Sequence, residues 1–226
     1  MFSARRIKMM NRSIPGDKTT PQLRSNFTGL FPSGKNDRLI SYRSLLERDF
    51  IVLLEDDRDV SSFSERPDRL EWSDGCAPRE TICEFGYQHA FRGRVLAAVK
   101  PSATLAKYEL AELFDLARPY AREAGYAALE VWTEKEVRVT PRLANAEMRV
   151  FQQTPNRNDA HVLAARTAML DGGGRMPIGE LRDRSNLGED AYRTILRLVA
   201  DGVFHPEDPD ALLDDHAMLR AKGRKS

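Results

Sequence analysis

The chain has 226 residues, 41% apolar and 31% charged, with a formal net charge of +1 and a mean hydropathy of −0.52. That length suits one large domain or two small ones, at about 150 residues per domain. No apolar run approaches the roughly 20 residues that span a bilayer, and no long apolar stretch follows the N-terminal charges, so the expectation is a cytoplasmic protein with no membrane partner.

Residues 1–40 carry Arg5, Arg6, Lys8, Arg12, Lys18, Arg24, Lys35 and Arg38 against Asp17 and Asp37, among many Ser, Thr, Asn, Pro and Gly. This composition predicts a basic flexible arm. Arg5, Arg6 and Lys8 are its candidate phosphate contacts, since such arms neutralise phosphates and speed association.

The next segment, 41–150, reads as one α/β domain. Leu45, Leu46, Phe50, Leu53 and Leu54 recur at helical spacing from Ser41 to Leu54. Ser41 can cap this helix, and Ser44 followed by Glu47 also fits a capping box. Short strands are predicted at Val60–Phe63 and Arg69–Trp72, then a longer one over Thr81–Phe91, bent at Gly86. The two cysteines, Cys76 and Cys83, have neither CxxC nor disulfide-framework spacing and read as reduced thiols. His89 has no second His or Cys at ligand spacing and reads as structural.

A turn at Arg92-Gly93-Arg94 leads into the apolar run 95–99, which ends at Lys100-Pro101. Strand alternation puts Ala98 and Lys100 on one face. A helix over Thr104–Arg122, kinked near Pro119 and stopped at Gly125, precedes a strand over Tyr126–Trp132. Hairpin, crossover helix and final strand together predict a mixed sheet with flanking helices.

This order of parts resembles the PD-(D/E)xK nucleases, and among them the TnsA-type transposon endonucleases. The resemblance covers roughly 41–145 and rests on Ser44-x-x-Glu47, the Phe50-x-x-Leu-Leu-Glu-Asp-Asp run, the hairpin ending Val99-Lys100-Pro101 and the strand ending Trp132-Thr133-Glu134. It implies a restriction-endonuclease-like fold in which Glu47, an Asp at 84 and an acid or Gln at 98 build a metal site beside Lys100. Here Glu84 replaces the Asp and Ala98 supplies no ligand. Glu47, Glu84 and Lys100 are therefore the remnant of a catalytic set. No cofactor is expected of a pseudo-nuclease, and Mg²⁺ or Mn²⁺, held by Glu47 and Glu84, of an active one.

Gln152–Asn156 reads as a linker. Beyond it, a helix capped by Asn158 or Asp159 runs to Leu170, a second opens near Ile178, and a third spans Glu189–Ala200 after the Asn186-Leu187-Gly188 turn. A short strand follows at Val203–His205. Three short helices and a β-wing over 157–226 resemble a winged helix, whose third helix enters the major groove. Arg193, Thr194 and Arg197 are its candidate DNA contacts, and the basic end Arg220, Lys222, Arg224 and Lys225 adds charge.

The leading expectation is a double-stranded-DNA-binding protein with a degenerate nuclease site, acting in transcription, genome maintenance or transposition, in the last case beside a transposase. The alternatives are an active metal-dependent endonuclease and a protein-assembly module.

Overall fold

A computed structural model describes residues 27–67, 69–73, 77–151 and 158–221. Arg5, Arg6, Lys8, the linker, Cys76 and Lys222, Arg224 and Lys225 lie outside them. The chain divides into two compact units, 1–138 and 139–226, and the fold is mixed α/β with a mixed sheet. Among the described residues no helix is long and apolar enough to cross a membrane.

The described part of the first unit begins inside the segment expected to be a flexible arm. Strands β1 (Gly29–Ser33) and β2 (Arg38–Tyr42) form an antiparallel hairpin with Phe31 opposite Ile40, so the arm extends at most to residue 28. Both apolar side chains are buried. The buried carboxylate of Glu55 holds the turn, accepting from Ser33 Oγ at 2.7 Å and from the Lys35 N–H at 3.0 Å.

Glu65 grips the other end of the hairpin through Arg38 at 2.6 and 3.1 Å and the Ser41 N–H at 3.2 Å. Burial pushes its carboxyl up, but these donors outweigh it and hold the group down to about 2. A depressed acid stabilises the fold above its ordinary value of 4.5, and that contribution fades as pH falls toward about 2. Because Arg38 is 44% exposed, solvent screens the pair. Glu65→Gln is therefore expected to cost about 1–2 kcal/mol at neutral pH, with the gap closing in urea titrations at pH near 2.

Helix α1 (Leu45–Asp56) starts four residues after Ser41, the earlier of the two expected caps, because Ser41 belongs to β2. Ser44 is its N-cap, accepting from the Glu47 N–H at 3.1 Å. Strands β3 (Val60–Glu65), β6 (Phe85–His89), β7 (Gly93–Val99) and β8 (Ala128–Trp132) form a sheet in that order, antiparallel except for β7 with β8. Gly93, at φ +80°, makes the tight turn from β6 into β7. On one face Phe50 of α1 packs its ring 5.5 Å from Phe85 and 5.2 Å from Trp132.

The strand expected over Thr81–Phe91 is broken. Its first part is β5 (Pro78–Thr81), which pairs with β4 (Leu70–Ser73) in a separate hairpin pinned by Trp72 Nε1–H donating to Thr81 Oγ1 at 2.8 Å. Residues 82–84 turn from one sheet to the other.

The crossover helix is also broken, at Glu109 rather than Pro119. Glu109 takes φ +52° between α2 (Ser102–Tyr108) and α3 (Leu110–Glu123). A left-handed non-glycine residue costs about 1–2 kcal/mol. The change of direction lets Leu110, Phe114, Ala117 and Ala121 all bury on the second face of the sheet, whereas α2 buries no side chain. Pro119 stays within α3.

A short helix, α4 (Glu134–Val137), ends the unit, and Arg138 donates from Nε to the buried Asp49 at 2.7 Å.

The second unit includes α5 (Arg142–Phe151), expected at the end of the central domain. Its buried Asn145 explains the reassignment: Nδ2 donates to the Ala211 carbonyl at 2.8 Å and Oδ1 accepts from the Leu213 N–H at 2.9 Å. There follow α6 (Asp159–Asp171), β9 (Arg175–Pro177), α7 (Ile178–Ser185), α8 (Asp190–Ala200), β10 (Phe204–Pro206) and β11 (Met218–Ala221). The strands form an antiparallel sheet in the order β10-β11-β9. Asn158 caps α6, its Oδ1 accepting from Ala160 N–H at 3.1 Å. Met169, Met176, Ile178, Leu181, Ile195, Leu198, Phe204 and Leu219 form the core.

Candidate functional site

Lys100 leaves the end of β7 with its backbone N–H donating to the Trp132 carbonyl at 2.9 Å, continuing the parallel ladder. Its ammonium donates to Glu84 Oε1, and the two side chains are only 15% and 16% exposed. The other carboxylate oxygen of Glu84 accepts from the Val99 N–H at 2.8 Å. Strand β6 starts only at Phe85, so the Glu84 carboxylate satisfies a ladder donor that has no strand partner. Glu84 thus neutralises Lys100 and closes the sheet end at once.

Glu47 comes to the same place from the first turn of α1. Its carboxylate accepts from the Arg43 N–H at 2.8 Å and lies 3.3 Å from Ser44 Oγ. Burial is the largest influence on it and pushes its carboxyl up. The Arg43 hydrogen bond opposes that, nearby Glu84 adds to it, and Ser44 and Lys100 pull the other way, leaving it above the usual carboxylate range. Glu84 and Lys100 are thus in contact, and Glu47 lies close enough to feel both charges.

A raised acid favours the folded state while protonated, and that advantage is lost as pH rises through its folded value. Glu47→Gln keeps an oxygen for the Arg43 N–H and removes the charge. The expected outcome is a higher melting temperature than wild type at pH 8 and no advantage at pH 4, read from paired thermal melts at the two pH values.

Ala98 lies fully buried among Leu96, Cys83, Leu110, Phe114 and Leu129, beneath α3. Cys83 in this cluster is pushed up to about 12 by burial, with Glu84 adding to it, and so remains a thiol at neutral pH.

These residues do not fit a divalent cation. Mg²⁺ takes near-octahedral oxygen ligands, but both Glu84 oxygens are engaged and position 98 offers a methyl group. Among the described residues no group of three or more His, Cys, Asp or Glu side chains gathers to hold a metal. His89 stands apart from the site on β6, where its Nδ1 accepts from the Phe91 N–H at 3.2 Å.

Ser102 and Glu134 form a hydrogen-bonded pair next to Lys100-Pro101 that sequence spacing alone does not reveal. Glu134 accepts from the Ser102 N–H at 2.9 Å and from its hydroxyl. These bonds hold the Glu134 carboxyl down to about 2 and fix the chain just past Lys100-Pro101. The motif ending Trp132-Thr133-Glu134 was the available signal.

In the second unit Arg193 is exposed on α8, 4.0 Å from Asp190, and Arg197 lies 3.3 Å from Asp201. Thr194 is a correction: it is buried with Ala191, Ile195 and Leu198 on the inner face, so it has no place beside the arginines. The connection between β10 and β11 carries Glu207, Asp208, Asp210, Asp214 and Asp215, and Glu207 pairs with Arg175 at 2.5 Å.

No protein-family model matches the chain, and no curated protein matches its sequence.

Proposed function

We propose that this protein binds double-stranded DNA through a TnsA-like nuclease core with an eroded metal site, joined to a winged-helix unit. The observation that carries the reading is the convergence of Glu47, Glu84 and Lys100 at the end of β6 and β7. Two further features support it. One is the order of α1, three antiparallel strands, α3 and a parallel fourth strand, with helices on both sheet faces. That is the arrangement the endonuclease resemblance implies. The other is the helix–strand–helix–helix–strand–strand order that follows α5 in the second unit, which is that of a winged helix with α8 as the groove-reading element.

Cleavage is lost because Lys100, the group that would stabilise charge on a scissile phosphate, is neutralised by the carboxylate that would otherwise hold the metal. Arg193, exposed on α8, and Arg197, partly exposed one turn further on, are the candidate DNA contacts, and ion pairs near the surface such as Arg193 with Asp190 are worth under about 1 kcal/mol against a phosphate or base edge. The protein serves as a transcription, genome-maintenance or transposition accessory factor, in the last case alongside a transposase.

The same convergence is what an active endonuclease would need, and a plasmid assay separates the two. With Mg²⁺ or Mn²⁺ present, supercoiled plasmid is expected to stay intact at protein concentrations that retard duplex DNA in a gel. Metal-dependent nicking that disappears in Glu47→Ala or Lys100→Ala would make the protein an enzyme.

A further inference from the structure

Helix α6 has two apolar sides, and the core of its unit uses only one. Val162, Ala165, Ala168 and Met169 are buried. On the opposite side Ala160, Leu163, Thr167 and Leu170 are all exposed, Leu163 by 66% and Leu170 by 64%. Their spacing of three, four and three residues is that of the a and d positions of a coiled-coil seam. An exposed leucine alone is ordinary; two of them aligned with small residues along one stripe form a continuous helix-pairing surface.

The flanks of this stripe say what covers it. With Ala160 and Thr167 as a, and Leu163 and Leu170 as d, Arg166 falls at g and Asp171 at e. Both are exposed, and neither has an ion pair among the described residues. In a parallel pair, a g residue faces the e residue five positions on in the other helix. Arg166 then meets Asp171 of the partner subunit, twice by symmetry. In an antiparallel pair that stacks Leu163 on the partner's Thr167, the two Arg166 side chains crowd the two-fold axis and repel. A β-branched residue at a with leucine at d favours two strands.

We propose that α6 is a homodimerisation helix, pairing in parallel with α6 of a second copy of this chain. The inference rests on α6 alone and not on the DNA reading. The seam covers fewer than two heptads, so the dimer is weak and reversible. Where both readings hold, a two-fold pair of second units matches a palindromic site, because operator symmetry mirrors protein symmetry.

Sedimentation velocity of the full-length protein over a concentration series tests this. The expected result is a reversible monomer–dimer shift that Leu163→Asp with Leu170→Asp abolishes, while circular dichroism and the melting temperature stay those of wild type. Arg166→Asp or Asp171→Arg alone should weaken the dimer about three- to tenfold, and the two together should restore it. A chain that stays monomeric up to its solubility limit overturns the proposal, as does a dimer that survives both leucine substitutions. Charge changes without effect, in a dimer that needs the leucines, overturn the parallel arrangement.

Discussion

Ala98→Glu is expected to destabilise the first unit by about 3–5 kcal/mol at neutral pH. Ala98 has no exposed surface and shares its cluster with Leu96, Cys83, Leu110, Phe114 and Leu129. A glutamate there must force its extra atoms between β7 and α3 and leave a carboxylate among apolar neighbours. Lys100, the nearest cation along the strand, is already taken by Glu84. Burial favours the neutral acid, so the loss should shrink as pH falls and the new carboxyl protonates. Ala98→Gln separates the two effects, since it brings similar bulk without the charge. Urea titrations of the three proteins at pH 5 and pH 8 measure this. A wild-type midpoint for Ala98→Glu, rising further with Mg²⁺, would mean that position 98 still opens onto a metal site and that one substitution separates this chain from an active one.

The double variant Arg193→Ala, Arg197→Ala is expected to lose at least about thirtyfold in duplex affinity, from about 1–3 kcal/mol per arginine that reads a base. Arg193 is exposed on α8 and Arg197 partly so, while the inner face of the helix is filled by Ala191, Thr194, Ile195, Leu198 and Val199. Truncation should therefore leave the core and the melting temperature almost unchanged. If the arginines touch phosphates alone, all sequences weaken equally and the salt dependence becomes shallower. Unaltered binding by the double variant would move the DNA surface away from α8, with Arg5, Arg6 and Lys8 as the next candidates.

Much of the fold was legible because its elements announce themselves locally. Leucine spacing marks α1, Gly93 marks the turn between β6 and β7, and Asn158, Asn186 and Gly202 punctuate the helices of the second unit. The order of motifs singles out Lys100, and the structure sets Glu84 against it.

What was not legible depends on long-range partners. Residues 29–42 have the composition of a flexible arm, and contacts with distant residues, among them Glu55, Glu65 and Phe63, fix them as a hairpin. The break at Glu109 carries no glycine or proline and follows from the need to seat Leu110 and Phe114 under the sheet. The place of α5 depends on Asn145 reaching the segment at 211–213, more than sixty residues later. Thr194 differs from these. The row Ala191, Thr194, Ile195, Leu198 has the spacing of a buried helix face, so its inward position was readable from the sequence.

The central claim is duplex DNA binding without chemistry, and the most direct measurement is fluorescence anisotropy of a labelled duplex titrated with wild-type protein in EDTA across a salt series. The account predicts binding without any divalent metal. Its logarithmic affinity should fall linearly with the logarithm of salt concentration, at a slope of about −0.9 per phosphate neutralised. No binding at the lowest salt, or an affinity that appears only when Mg²⁺ is added, would contradict it.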